Sequence, residues 1–253
     1  SKKRRAKRKN KKKEFFLMDK IQKIKSISIW IFIVPFIAVN TCLLLINEFQ
    51  WVFPDPEDII HNAFPYFDGQ ASISRVVRPF PTWLIFKPAM FLTTYLLIKY
   101  WLYNKDIIIH FNGGHKYLKK IIFFGVGSAI ALTVHSIFLG IHFDNDLYKL
   151  FRRVLMLVFI IFEVAAQSYF VAILYSFKNK LQKHISIKVL KMKLILVSML
   201  VIVGVISIPI ISLPGNDFLG LNLKFIKHAL EWDYFLGVII FYLLTYFMWK
   251  KKS

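Results

Sequence analysis

A single carboxylate, Glu163, stands in the middle of a long apolar stretch, residues 153–177 (RVLMLVFIIFEVAAQSYFVAILYSF). A charged carboxylate at the centre of a bilayer costs about 2.5 kcal/mol or more on insertion scales. Gln167 follows one turn later, and residues four apart lie on one face of a helix. We therefore predict that Glu163 faces the interior of a helix bundle as the neutral acid. We expect it to share a polar cluster with Gln167 and a group of the preceding helix, His135 or a nearby hydroxyl.

Two interpretations of this cluster remain open. In the first it is structural, and its interhelical hydrogen bonds contribute about 0.6 to 2 kcal/mol each. In the second it binds a lipid headgroup or takes part in proton-coupled transport. Arg152 and Arg153, at the start of the same apolar stretch, would then contact anionic headgroups, whereas in the first interpretation they are ordinary snorkelling anchors.

A metal site is the alternative chemistry for the residues before this stretch. His135 and His142 are two helical turns apart, and Asp144 and Asp146 follow them. A zinc ion held by such ligands would activate a water molecule for hydrolysis of a lipid ester or amide. The sequence contains neither HExxH nor GxSxG nor a phosphate-binding GxxxxGK[ST] loop. These patterns favour a non-enzymatic protein without catalytic residues, a bound metal or a cofactor.

Basic and acidic residues flank the second and the last apolar stretches. Arg75 and Arg78 are three residues apart, so on a helical turn they share one side and could bind a phosphate or pair with Asp68. Glu231 precedes Trp232 at the beginning of the last stretch. We predict that Arg75, Arg78, Asp68 and Glu231 organise one face of the molecule.

Long helices must position all of these groups, because 57% of the residues are hydrophobic. About 20 apolar residues cross a hydrocarbon core of ~30 Å. The apolar runs of that length are about 27–47, 82–103, 119–141, 150–177, 190–213 and 231–249. The sequence thus predicts an all-α, multi-pass integral membrane protein with a bundle of six transmembrane helices.

The distribution of charge predicts the orientation of these helices. With both termini in the cytoplasm, 26 of the 35 Lys and Arg residues lie on the cytoplasmic side, and 10 of the 14 acidic residues lie outside. This is the positive-inside arrangement. We divide the chain into a basic cytoplasmic tail, 1–26, and a six-helix membrane domain, 27–250. A basic tail beside a membrane attracts anionic headgroups, by about 1 kcal/mol per residue, so lipid is a better partner for it than nucleic acid. A membrane-protein partner stays open.

The order of these features resembles the DRAM-like family of six-helix membrane proteins. The resemblance lies in SISRVVRPFPTWLIF before the second run and ALEWDYFLGVIIFYLLTYF in the last. The matching positions are Pro65, Ser72, Ile73, Ser74, Arg75 and Pro79, and then Glu231 and Trp232. That family includes damage-regulated autophagy modulators, a yeast suppressor of phosphatidylinositol 4-kinase defects and GPI-anchor remodelling proteins. The resemblance implies a lipid-associated protein that influences lipid distribution or GPI-anchor lipids.

Three functional hypotheses follow. The first is a non-enzymatic membrane protein that binds or regulates lipids. The second is a small transporter or channel that uses the polar cluster around Glu163. The third, a metal-dependent intramembrane lipid hydrolase, depends on His135, His142, Asp144 and Asp146.

Overall fold

The computed structural model describes residues 2–141, 145–212, 217–218 and 221–250. The helices of these residues are, in chain order, α1 (Lys2–Glu48), α2 (Pro65–Asp68), α3 (Ile73–Val77), α4 (Thr82–Asn112), α5 (Leu118–Phe138), α6 (Asp146–Ser176), α7 (Lys178–Leu181), α8 (Ile187–Ser212) and α9 (Leu223–Met248). Two-residue strands, β1 (Asp217–Phe218) and β2 (Leu221–Asn222), form an antiparallel pair. Short 3-10 turns occupy Gln50–Val52 and Pro56–Asp58.

Five helical segments of the described residues are long and apolar enough to cross a membrane. They are Glu14–Glu48, Leu118–Phe138, Asp146–Ser176, Ile187–Ser207 and Leu223–Met248. The all-helical architecture is confirmed, and these segments are consistent with a multi-pass integral membrane protein. Helix α4 contains the predicted second span but is not one of the five, because Lys87 and Lys99 interrupt its apolar residues. The sixth span and the orientation therefore stay predictions.

Helix α1 has 47 residues and runs without a break from the basic tail into the first apolar run. Lysine and arginine are good helix formers, so the tail continues the helix instead of ending it. An ion pair joins this helix to the end of α4, where Lys20 Nζ lies 2.7 Å from Asp106 Oδ2. Pro35 and Pro88 lie inside α1 and α4.

The long helices pack side by side, α1 on α4 and α9, α5 on α4 and α6, and α8 on α6 and α9. Small residues of α5 allow both α4 and α6 to approach it closely, as is usual in membrane bundles. A Cβ atom on Gly125 of α5 would lie 2.5 Å from the Trp101 ring of α4, and one on Gly127 would lie 2.7 Å from the Phe162 ring of α6.

We call the end of the bundle that carries residues 49–81 and the beginnings of α6 and α9 the loop end, and the opposite end the terminal end. At the loop end, residues 63–77 pack on α9, where Trp232 Nε1 donates to Ala71 O at 2.8 Å. Gly69 has a φ of +60°, and a Cβ atom there would lie 1.8 Å from Phe225 O. At the terminal end, Ser186 N donates to Met248 O at 2.8 Å. Both ends of α9 are thus fixed by backbone contacts.

Candidate functional site

An apolar cavity of about 70 Å³ lies between α1, α4, α5, α6 and α9. Its walls are almost entirely aliphatic and aromatic, but two carboxyl groups, Glu231 and Glu163, reach it. Lining residues extend along α9 from Glu231 to Tyr242, which at 1.5 Å per residue is about 16 Å. The cavity therefore extends over about half of a ~30 Å hydrocarbon core.

Glu163 is fully buried on α6 and has polar neighbours from three helices. The Tyr242 hydroxyl of α9 and Gln167 Nε2, at 3.0 Å, both donate to Glu163 Oε1. The Ser128 hydroxyl of α5 lies 2.7 Å from Oε2. Gln167 Nε2 also lies 3.2 Å from Val238 O of α9. We call Ser128, Glu163, Gln167 and Tyr242 the Glu163 cluster.

The hydroxyl of Ser128 has two acceptors and one proton. It lies 2.9 Å from Gly125 O of its own helix as well as 2.7 Å from Glu163 Oε2. A proton on Oε2 would remove this competition, because Glu163 would donate to Ser128 and Ser128 to Gly125. This geometry favours the predicted neutral acid.

The helix-α5 group that reaches Glu163 is Ser128, two turns from the expected His135. The other hydroxyls considered, Thr133 and Ser136, donate to carbonyls of their own helix, Ala129 O at 3.0 Å and Leu132 O at 2.8 Å. His135 is 5% exposed and lies nearer the loop end, against the backbone of Arg152. Gln167 is where it was expected, and Tyr242 was not anticipated.

Lys193 of α8 is a second buried polar group. The charge distribution predicts for it only a place among the basic residues of the cytoplasmic side. It is fully buried, and its Nζ donates to Thr245 Oγ1 of α9 at 2.6 Å. The same nitrogen lies 3.6 Å from the centroid of the Phe241 ring. The sequence does indicate this burial, because Lys193 shares the 3-4-3 spacing of the buried Leu190, Val197 and Leu200. Such spacing indicates the inner face of a helix.

The predicted group of Arg75, Arg78, Asp68 and Glu231 is not joined by ion pairs in the described residues. Asp68 accepts hydrogen bonds from Phe64 N at 2.6 Å and from Gln70 N at 2.9 Å, so it stabilises its own turn. Arg75 is exposed.

Glu231 and Trp232 instead attach α9 to the loop. The carboxyl group of Glu231 lies at the backbone N–H groups of Ile73 and Ser74, which begin α3. Trp232 is fully buried, and its ring is 4.9 Å from that of Tyr66. These two residues therefore connect the predicted loop motif to the last helix.

A polar cleft opens at the loop end. It is lined by Asp58, Arg78, Pro79, Phe80, Trp83 and Gly140. Arg152 lies close enough that its charge, after the larger effect of burial, lowers the pKa of Arg78, and Asp58 acts in the opposite direction. Within the described residues, the Nε atoms of Arg78 and Arg152 are buried and have no hydrogen-bond partner. Arg153 is exposed beside them.

The predicted metal ligands are only partly visible. His142 and Asp144 lie outside the described residues, and Asp146 begins α6. Among the described residues, no three His, Cys, Asp or Glu side chains come together as a metal site.

Comparisons of this chain with protein-family models, with curated proteins and with solved structures found no match. The resemblance to the DRAM-like family therefore stays a prediction.

Proposed function

We propose that this protein is a non-enzymatic integral membrane protein that binds lipid and holds one acyl chain in the cavity between α1, α4, α5, α6 and α9. The observation that carries the proposal is the cavity itself, whose walls are aliphatic and aromatic over about 16 Å. That length corresponds to about one leaflet of the hydrocarbon core. Met90 and Met156 in the wall suit a flexible chain, because methionine adapts its shape to irregular contacts.

The carboxyl groups at the two ends give this cavity a limited depth. The Glu163 cluster closes it on one side, and Glu231 lies where α9 meets α3. The Glu163 cluster, in which both carboxyl oxygens have donors from the bundle, would stop an acyl chain without attracting its methylene groups. In this proposal the cluster is therefore the floor of the lipid site.

Two substitutions on α5 test the lipid site. Leu132 lines the cavity and is 4% exposed, whereas Ile130, two residues away, is 55% exposed and points away from the bundle. We expect Leu132→Trp to fill the cavity and lower the amount of lipid that stays bound in native mass spectrometry, and Ile130→Trp to leave it unchanged. Equal lipid retention by both folded variants and the original protein would contradict the proposal.

We further propose that α4 is the sixth span and that both termini lie in the cytoplasm. Helix α4 packs between α1 and α5, both of which are long and apolar enough to cross. An even number of spans places both termini on the same side, and the positive-inside rule assigns that side to the cytoplasm.

Labelling from outside the cell tests this topology. Cys42 is buried and is replaced by Ala first. In that background an impermeant thiol reagent should label Glu57→Cys and leave Asn179→Cys unlabelled until the membrane is opened, and both positions are exposed in the structure. The reverse pattern would overturn the orientation.

The second candidate function is proton-coupled transport, and one observation favours it. Glu163 and Lys193 are both fully buried, and the Tyr100 hydroxyl lies 3.1 Å from the Thr245 oxygen that accepts from Lys193. The Tyr100 ring in turn lies 4.9 Å from the ring of Tyr242, which donates to Glu163. Reconstituted protein that moves protons across vesicles, and loses this movement in Glu163→Gln, would favour this function over lipid binding. The hydrolase hypothesis has no comparable support.

A further inference from the structure

The cleft at the loop end presents the guanidinium group of Arg78, and that of Arg152 lies close to it; within the described residues the donors of neither group are fully used. Arginine carries five N–H donors, and a buried donor without a partner is unfavourable. Within the described residues, neither Arg78 Nε nor Arg152 Nε has a hydrogen-bond partner, although both atoms are buried. Two like charges thus lie close together, and in the part of the chain that the structure describes neither has an ion pair.

The cleft has backbone, acidic and basic groups around Arg78. Gly140 has a φ of +80°, and a Cβ atom on it would lie 3.4 Å from Arg78 O, in van der Waals contact. Asp58 is the acidic residue in the lining. Lys87 adds positive charge near the cleft, where its Nζ lies over the Trp83 ring and donates to Ile137 O at 3.3 Å.

The cleft lies next to the apolar cavity. Arg152 precedes Met156 by one turn of α6, and Met156 lines the cavity. On α4, Trp83 of the cleft precedes Phe86 of the cavity by one turn. Residues three or four apart lie on the same helix face, so the cleft is about one turn beyond the cavity toward the loop end.

We propose that Arg78 and Arg152 together bind a phosphate group in this cleft. Arginine suits this role because its planar fork offers two parallel N–H groups to one phosphate or carboxylate. A doubly charged phosphate would neutralise both guanidinium groups and supply the acceptors that the protein does not. The phosphate belongs to the headgroup of a lipid or to free phosphate in solution. The lipid version rests on the proposed function, because it places the acyl chain of the same molecule in the cavity.

Headgroup comparison tests the site in the full-length protein. Native mass spectrometry would measure binding of dioleoyl phosphatidic acid and of dioleoylglycerol, which has the same chains without the phosphate. We expect Arg78→Gln and Arg152→Gln each to lower the affinity for phosphatidic acid about tenfold or more, because hydrogen bonds from a charged group are lost. The affinity for dioleoylglycerol should stay unchanged. Arg153→Gln is the matched control, since Arg153 adjoins Arg152 and is exposed.

Further variants separate a binding site from general electrostatics and from misfolding. Asp58→Asn removes negative charge from the cleft and should tighten phosphatidic acid binding. Arg78→Lys keeps the charge but loses the fork, so it should bind more weakly than the original protein while it stays folded. A loss in Arg153→Gln as large as that in Arg78→Gln would overturn the site, because it would indicate surface charge alone. An equal loss of both lipids in Arg78→Gln and Arg78→Lys would also overturn it.

Inorganic phosphate distinguishes the two sources. Competition by millimolar phosphate, but not chloride, at equal ionic strength would show that the free anion enters the same site. If no lipid binds the original protein but phosphate still raises its melting temperature through Arg78 and Arg152, the phosphate site stands and the proposed lipid function fails. Retention of dioleoylglycerol without any discrimination for phosphate would leave the lipid function and overturn the phosphate site.

Discussion

The Glu163 cluster and the cleft at Arg78 both place charged residue types out of water, and they differ in how their polar atoms are used. Both carboxyl oxygens of Glu163 have donors within hydrogen-bond distance, from α5, α6 and α9. At the cleft, the buried Nε atoms of Arg78 and of the nearby Arg152 have no partner among the described residues. Within the described residues, the Glu163 carboxyl group thus finds its partners inside the bundle, although Gln167 Oε1 of the same cluster has none, whereas neither arginine Nε has a partner.

This difference indicates what each region contributes. A polar network whose hydrogen bonds join several helices inside a membrane bundle fixes the relative positions of those helices. Donors left unsatisfied beside an open cleft lower stability in the absence of a ligand and increase the free energy available for binding one. Removal of a side chain should therefore destabilise the fold in the first region and affect ligand binding in the second.

The largest effect is expected for Glu163→Leu. Tyr242 would lose its acceptor, and Ser128 and Gln167 would each lose one of two partners. Each buried polar group without a partner costs about 1–3 kcal/mol, so we expect a loss near 3 kcal/mol. Glu163→Gln keeps acceptors and a donor and should fold normally. The midpoint of thermal unfolding in detergent would measure the stability of both variants. Equal midpoints for Glu163→Leu and Glu163→Gln would contradict a structural role for the cluster.

Much of this cluster could be predicted from the sequence because the energetic argument is local. An isolated carboxylate in an apolar run has to face other protein groups, and Gln167 follows on the same face. The sequence could not identify Ser128 over His135. That choice depends on the register in which α5 packs on α6, where the Phe162 ring lies against Gly127.

The loop end was harder to predict for a different reason. Arg78 and Arg152 belong to segments 74 residues apart, and nothing in either local pattern indicates that they meet. The helical spacing of Arg75 and Arg78 suggested a joint role, but Asp68 bonds to its own turn and Arg75 remains exposed. Side-chain capping of a turn competes with long-range ion pairs, and the local contact prevails here.

An intermediate effect is expected at Lys193, which is fully buried like Glu163 but has a single hydrogen-bond acceptor among the described residues, Thr245 Oγ1. Thr245→Val preserves shape and removes that acceptor, so we expect a loss of about 2 kcal/mol. Lys193→Met fills similar space without a polar group and should leave stability unchanged or raise it.

A double-mutant cycle supplies the control for Lys193. If the hydrogen bond from Lys193 Nζ is the reason for the loss of stability, Thr245→Val should lower the free energy of unfolding only slightly in the Lys193→Met background. Additive losses in the double variant would show that Thr245 acts independently, through its other contact with Tyr100.

The smallest effect on stability is expected for Arg78→Gln, although it should change ligand binding the most. No ion pair or hydrogen bond to the Arg78 guanidinium is present in the described residues, so its removal leaves no partner stranded. Relief of repulsion from Arg152 opposes the loss of packing around the aliphatic stem. We expect a change within about 0.5 kcal/mol, the range of ordinary surface substitutions. Thermal unfolding in lipid-free detergent, with Arg153→Gln alongside, measures it. A loss as large as that of Glu163→Leu would mean that Arg78 is structural, and the distinction between the two regions would fail.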